Sequence, residues 1–193
     1  MKHEEPPPAL RDPASAADLA ELLALARRLS PQVSGEIIEK AYWRAHAAHA
    51  AQRRVSGEPY FNHVLAVART CAELNLGSNA IAAALLHDTV EDAGLSPDQL
   101  REEFNPTVAL LVDGVSKIGA LRFESAERAQ AENFRKLLLH MSRDIRILLI
   151  KLADRLHNMS TLEHLRADKQ ERIARETMEI YAPLAERLGI WQM

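Results

Sequence analysis

The residues of this chain best suited to chemistry stand together in Leu85-Leu86-His87-Asp88-Thr89-Val90-Glu91-Asp92, where one imidazole and three carboxylates close an alanine- and leucine-rich run. On a helix, residues four apart share a face, so His87 falls over Glu91 and Asp88 over Asp92. His87 and Asp88 themselves point about 100° apart on a regular helix. For both to reach one ion, the ion must lie between their directions or the helix must bend there. Two histidines with two carboxylates suit an octahedral divalent ion with positions left for water and substrate, whereas closed zinc sites are usually tetrahedral and rich in cysteine. His87 and Asp88 supply half of such a set. Candidates for the other half are His63, after the turn Gly57-Glu58-Pro59-Tyr60, and Asp154, within Lys151-Leu152-Ala153-Asp154-Arg155-Leu156. An acid flanked by Leu152, Ala153 and Leu156 needs a partner if it is buried, and a metal would satisfy it.

The elements that must carry these groups read as helices. With 193 residues and 47% hydrophobic content, the chain can bury one substantial core. Few glycines and aromatics beside abundant Ala, Leu, Glu and Arg point to an all-α protein, and neither strand alternation nor an internal repeat is visible. Residues 1–14 read as a disordered lead-in interrupted by Pro6-Pro7-Pro8 and Pro13, and 15–193 as one domain. Ser15-x-x-Asp18 is a capping signal before the stripe Leu19, Leu22, Leu23, Leu25 and Leu29, and Ser34 can cap a second helix carrying Ile37, Ile38, Ala41, Tyr42 and Ala45.

A third helix runs from His63 to Leu74, closed by Gly77, and Ser78 or Asn79 caps the helix that delivers His87. Ser96-Pro97-Asp98-Gln99 and Pro106 open two more, the latter running out near Gly119. Gly119 to Glu127 is aperiodic and reads as a mobile loop. Further helical patterns follow through Phe134 to Met141, from Asp144 to Met159, and through Ile173 to Tyr181, where Pro183 kinks or restarts the last and Gly189 ends it.

Composition also limits the partners. A net charge of −3 provides no polyanion-binding surface, so nucleic acid is not expected as a partner. No apolar run approaches the ~20 residues of a membrane span, and a cytoplasmic protein without membrane contact is expected. The single Cys71 lies in an apolar pattern and reads as a buried thiol. His46 and His49, i and i+3, lack a nearby third ligand and read as core or surface histidines.

In the order H…HD…D, His63, His87-Asp88 and Asp154 make the chain resemble the HD superfamily of metal-dependent phosphohydrolases. More narrowly, Ser56-Gly57-Glu58-Pro59-Tyr60, His87-Asp88-Thr89-Val90-Glu91-Asp92, Val112-Asp113-Gly114-Val115-Ser116-Lys117 and Lys151-Leu152-Ala153-Asp154-Arg155-Leu156-His157-Asn158-Met159 are similar to the hydrolase domain of RelA/SpoT proteins. The resemblance implies an HD-domain bundle of roughly eight to ten helices. It implies hydrolysis of the 3′-pyrophosphate of (p)ppGpp to GDP or GTP, with one divalent ion, usually Mn2+, on His63, His87, Asp88 and Asp154. Glu91 and Asp92 would manage protons. Arg54, Asn158 and Thr161 match nucleotide-contacting positions, while Val55 departs from the family, in which lysine or another polar residue is common.

Ser56 and Lys117 complete the substrate-binding candidates. Lys117 enters by charge, as do Arg122, Lys151 and Arg155, each of which serves equally in a solvated face or an intrahelical ion pair. The last stretch, Tyr181 to Met193, resembles the family's passage into a synthetase domain. A fragment of a longer hydrolase/synthetase is therefore expected, with synthetase and regulatory domains as its missing neighbours. The competing readings are an HD phosphohydrolase acting on another nucleotide, and a regulatory module that binds nucleotide without turnover.

Overall fold

A computed structural model describes residues 13–120 and 143–190. Among these residues the chain is helical, and the one β-type pairing is an isolated bridge between Arg53 and Pro59. Numbering the described α-helices in order, they are α1 (Pro13–Leu29), α2 (Gly35–Ala48), α3 (Phe61–Glu73), α4 (Ser78–Leu86), α5 (Thr89–Asp92), α6 (Pro97–Glu103), α7 (Pro106–Gly119), α8 (Arg146–Ser160), α9 (Ala167–Glu176) and α10 (Ala182–Arg187). The expected all-α fold is what is found.

Helix α4 is the hub. From Ala80 to Leu86 every residue is buried, because α2, α3, α7 and α8 all pack on it. A helix apolar all round must be enclosed, and the alanines at 80, 82, 83 and 84 let its neighbours approach closely. Ile81, Leu85 and Leu86 each contribute about 1.5–3 kcal/mol by leaving water. Helices α7 and α8 meet at Gly114, where a Cβ would stand 2.5 Å from Ile147 Cδ1. Glycine is required there by the contact rather than by backbone conformation.

Helix starts follow local signals in some places and not in others. Ser96 and Gln99 form the expected reciprocal capping box on α6, and Asn105 Oδ1 accepts from Val108 N at 2.9 Å to start α7 just ahead of Pro106. Helix α1 instead begins at Pro13, so Ser15 lies inside it, buried, with Oγ 3.2 Å from His46 Nε2. Proline fits a first turn, whose N–H groups have no partner within the helix, and this moves the start ahead of the expected cap.

Ser34 occupies the N-cap of α2 without a side-chain bond, and its N–H donates instead to Ser78 Oγ at 2.7 Å. Asn75, at φ 54°, makes the left-handed turn that closes α3, while Gly77, at φ 81°, is the N-cap of α4 in place of Ser78 or Asn79. Near the end of the chain, residues Thr177–Tyr181 form a π turn in which Ala182 N donates to Thr177 O. Pro183 has no N–H to give to Glu179 O, and the helix widens ahead of it before α10 resumes at Ala182. Cys71 is fully buried, as expected, and burial pushes its thiol well above the usual range. The expected loop beyond Ala120 and the helix through Phe134 to Met141 lie outside the described residues.

Candidate metal centre

The regular helix is interrupted at His87 and Asp88. Helix α4 stops at Leu86 and α5 starts at Thr89, leaving His87 and Asp88 at the junction. Two side chains take over the backbone's acceptors there. His87 Nδ1 donates to Ala84 O at 2.7 Å, and Thr89 Oγ1 donates to Leu86 O at 2.6 Å. Carbonyls thus satisfied by side chains no longer need the regular ladder, and the turn can open without loss of hydrogen bonds.

Because His87 Nδ1 holds the proton given to Ala84, its Nε2 faces inward. It meets Asp88 Oδ2 at 3.2 Å and Asp154 Oδ1 at 3.9 Å. His63 Nε2, from α3, lies 3.2 Å from Asp154 Oδ1 and 3.7 Å from Asp88 Oδ2. One ligand atom each from His63, His87 and Asp88 falls within 4.8 Å of the others. Asp154 comes from α8. Sequence reasoning assembled these four residues from three separate stretches, and the fold brings them to one point.

The chemistry of the point fits a cation. His63, His87 and Asp154 are nearly inaccessible, at 2%, 1% and 5% exposure. His87 Nε2 is buried without a hydrogen bond. Two imidazole lone pairs and two carboxylates gathered out of water repel one another unless positive charge lies among them, either protons or a metal ion. Burial works against a charged His87, but Asp88 and Asp154 push its pKa up to about 9. Burial would equally raise Asp88, yet His87 holds it well below the usual carboxylate range.

Outer contacts fix each ligand. Tyr60 donates its hydroxyl to Asp88 Oδ2 at 2.7 Å, and burial together with Asp88 keeps that phenol protonated far above its ordinary range. Asp154 accepts from Lys151 Nζ at 2.7 Å through Oδ2 and from Asn158 Nδ2 at 2.6 Å through Oδ1. Lys151 is largely enclosed, which would discharge it, but Asp154 holds it protonated. Such partners orient metal ligands and tune their basicity.

Beside the centre lies an open cleft of about 240 Å³, lined by residues that include Arg54, Val55, Ser56, Tyr60, Thr161 and His164. Its near wall is the tight loop Gln52–Tyr60, in which Arg54 N donates to Glu58 O at 2.9 Å and Tyr60 N to Gln52 O at 3.0 Å, with Gly57 at φ 89°. Arg54 crosses to α8, giving Nη2 to Asn158 Oδ1 at 2.8 Å. Thr161 closes the end of α8 with its hydroxyl on His157 O at 3.2 Å. Val55 is exposed where it lines the cleft. Glu91 and Asp92 are exposed at the end of α5, and burial and Asp88 raise the Asp92 carboxyl.

Not every expected residue reaches the cleft. Lys117 is exposed on α7 and pairs with Asp113, 2.6 Å away and one turn back. Arg155 is bound to Glu176 at 3.2 Å and lies over the Tyr181 ring. Lys151 supports Asp154 instead of facing a phosphate. Arg122 lies outside the described residues. His49 is buried, its Nδ1 meeting Gln52 Oε1, and His46 is half-buried against the Tyr42 and Phe61 rings. Tyr60 and His157 have roles that the sequence reading did not assign. Both stood in the quoted motifs, and an aromatic hydroxyl or imidazole three residues from a ligand histidine or aspartate was the available signal.

The four convergent groups on a helical frame define the class. A family model described as an HD domain matches residues 41–191, and the chain belongs to that family. Over 146 residues, 76% of this chain and 22% of the relative, it is 58% identical to a guanosine-3′,5′-bis(diphosphate) 3′-pyrophosphohydrolase of Haemophilus influenzae. Over 153 residues, 79% of this chain and 22% of the relative, it is 54% identical to the bifunctional (p)ppGpp synthase/hydrolase SpoT of Escherichia coli. Over 173 residues, 90% of this chain and 23% of the relative, it is 48% identical to a GTP pyrophosphokinase rsh of Brucella ovis. Within its family the chain is of the RelA/SpoT type, and it spans less than a quarter of the length of these relatives.

Proposed function

We propose that this domain hydrolyses the 3′-pyrophosphate of (p)ppGpp, releasing pyrophosphate and GDP or GTP, with one Mn2+ held by His63, His87, Asp88 and Asp154. The observation that carries the reading is the meeting of two buried Nε2 atoms with two carboxylates, 3.2 to 3.9 Å apart, next to a cleft lined by Arg54. A divalent ion in such a set lowers the pKa of bound water and neutralises phosphoryl oxygen charge.

The protein's own groups do the rest. Tyr60 and Lys151 keep Asp88 and Asp154 oriented and ionised. Arg54, Ser56, Asn158 and Thr161 receive the nucleotide, and a guanine-sized base leaves buried donors and acceptors unpaired if it is replaced by the wrong one, at ~1–3 kcal/mol each. In the reaction a water oxygen joins the phosphorus next to the ribose, the 3′ O–P bond breaks, and the 3′ oxygen gains a proton. One proton must leave the water and one must reach the leaving oxygen. Glu91 and Asp92, exposed at the end of α5, would exchange them. The raised Asp92 carboxyl brings its proton affinity closer to neutrality. In the longer protein this domain would precede synthetase and regulatory domains.

Pyrophosphate release from purified protein, with (p)ppGpp and graded Mn2+, tests the reading. Metal-dependent release of pyrophosphate and GDP is expected, with turnover of guanine over adenine substrates. Binding of (p)ppGpp without turnover at saturating Mn2+ would favour the regulatory module, and equal turnover of adenine substrates would favour another nucleotide.

A further inference from the structure

His157 sits where the metal centre and the nucleotide cleft meet, and one of its nitrogens receives two donors. Arg54 Nη1 lies 3.0 Å from His157 Nδ1, and His63 Nδ1 lies 2.9 Å from the same atom. A guanidinium has no acceptor, so the Arg54 contact requires a lone pair on His157 Nδ1. The contact from His63 then requires a proton on His63 Nδ1. That proton leaves His63 Nε2, the atom facing Asp154 and Asp88, as the coordinating nitrogen.

We infer that His157 is a positioning residue that fixes the ring orientation and tautomer of His63 for the ion, and that Arg54 competes with His63 for the single lone pair that does so. The inference rests on the reading that His63, His87, Asp88 and Asp154 hold a divalent ion. It parallels the arrangement at the other histidine, where Ala84 O takes the Nδ1 proton of His87, but differs in kind. A backbone carbonyl has two lone pairs and does not move. The Nδ1 of His157 has one, and its second donor is a side chain that faces the cleft. When a nucleotide draws Arg54 away, His157 is left wholly to His63, and a stronger acceptor behind an imidazole makes its far nitrogen a better ligand. Occupation of the cleft and retention of the ion are thereby coupled through three side chains.

The test is Mn2+ affinity in the absence of nucleotide, read from the electron paramagnetic resonance signal of free Mn2+ with the full chain. His157→Phe keeps a ring but has no acceptor, and a loss of affinity of about tenfold to a hundredfold is expected. His157→Asn sets Oδ1 where Nδ1 stands and is expected to restore most of it. Arg54→Ala, which frees the lone pair for His63, is expected to bind Mn2+ at least as tightly as wild type. Wild-type affinity in His157→Phe, or equal losses in the Phe and Asn variants, would overturn the proposal, the latter by making the effect one of packing. Long-range 1H–15N spectra of metal-free protein provide a second readout. They should place a proton on His63 Nδ1 in wild type, and a neutral His63 protonated on Nε2 alone would overturn it. Failure of wild-type protein to bind Mn2+ would sink the metal reading instead, and the spectra would still decide the role of His157.

Discussion

Asp88 and His87 share one buried space in which charge must balance, and that makes the centre sensitive to pH. In the ion-free fold the neighbouring carboxylates, opposed by burial, push His87 up to about 9. An incoming ion must therefore displace a proton. Because the group's pKa is raised above its unfolded value, the stability it contributes to the ion-free fold is present below the ordinary imidazole range and is lost as pH rises through about 9. Ion binding runs the other way: affinity should rise about tenfold per pH unit from near neutrality to about 9 and then level off. Mn2+ titrations at several pH values check this, and a flat profile would remove the proton from His87. Glu91 and Asp92 make a separate prediction. Glu91→Gln or Asp92→Asn should slow hydrolysis by roughly a hundredfold or more while keeping the metal, since an amide retains the shape but exchanges no proton. Loss of the ion from either variant would reassign that residue to coordination.

At the scale of elements, the centre depends on how closely α7 and α8 approach. Asp154 rides on α8, and α8 is seated against α7 through Ile147 on Gly114. Gly114→Ala puts a methyl within 2.5 Å of Ile147 Cδ1 and within 2.9 Å of two other Ile147 side-chain atoms. Overpacking of this kind costs about 1–3 kcal/mol. Denaturant unfolding should report a loss in that range, and Ile147→Val in the same background should recover part of it. An unchanged midpoint would mean that α8 can shift outward freely, and Asp154 would then be a poorly fixed ligand.

The whole molecule closes around the four groups. His63 comes from α3, His87 and Asp88 from the junction of α4 and α5, and Asp154 from α8. An ion that binds all four binds only the folded chain, so it stabilises by mass action, about 2.7 kcal/mol at a concentration one hundred times its Kd. Thermal unfolding should shift upward with Mn2+ and return on adding a chelator. Asp88→Ala should keep the helical spectrum and lose both the shift and hydrolysis. A variant that retains the full shift would show that Asp88 is no ligand.

What the sequence determined by itself was whatever a few neighbouring residues decide. Helical periods, the Ser96 capping box, the start at Pro106, the buried Cys71 and the enclosed run before His87 all depend on residues within a turn or two of each other. The four metal candidates were legible because their types and order form a pattern that needs no geometry. Only the tertiary structure decided which charges turn inward. Lys151 pairs with buried Asp154 while Lys117 stays on the surface with Asp113, although both are lysines on amphipathic helices. Likewise the two contacts on His157 Nδ1 and the bond from Arg54 to Asn158 were settled by partners far along the chain, Arg54 and Asn158 standing 104 positions apart. A side chain's hydrogen bonds follow from what packing places beside it, and that information is spread over elements which no local pattern connects.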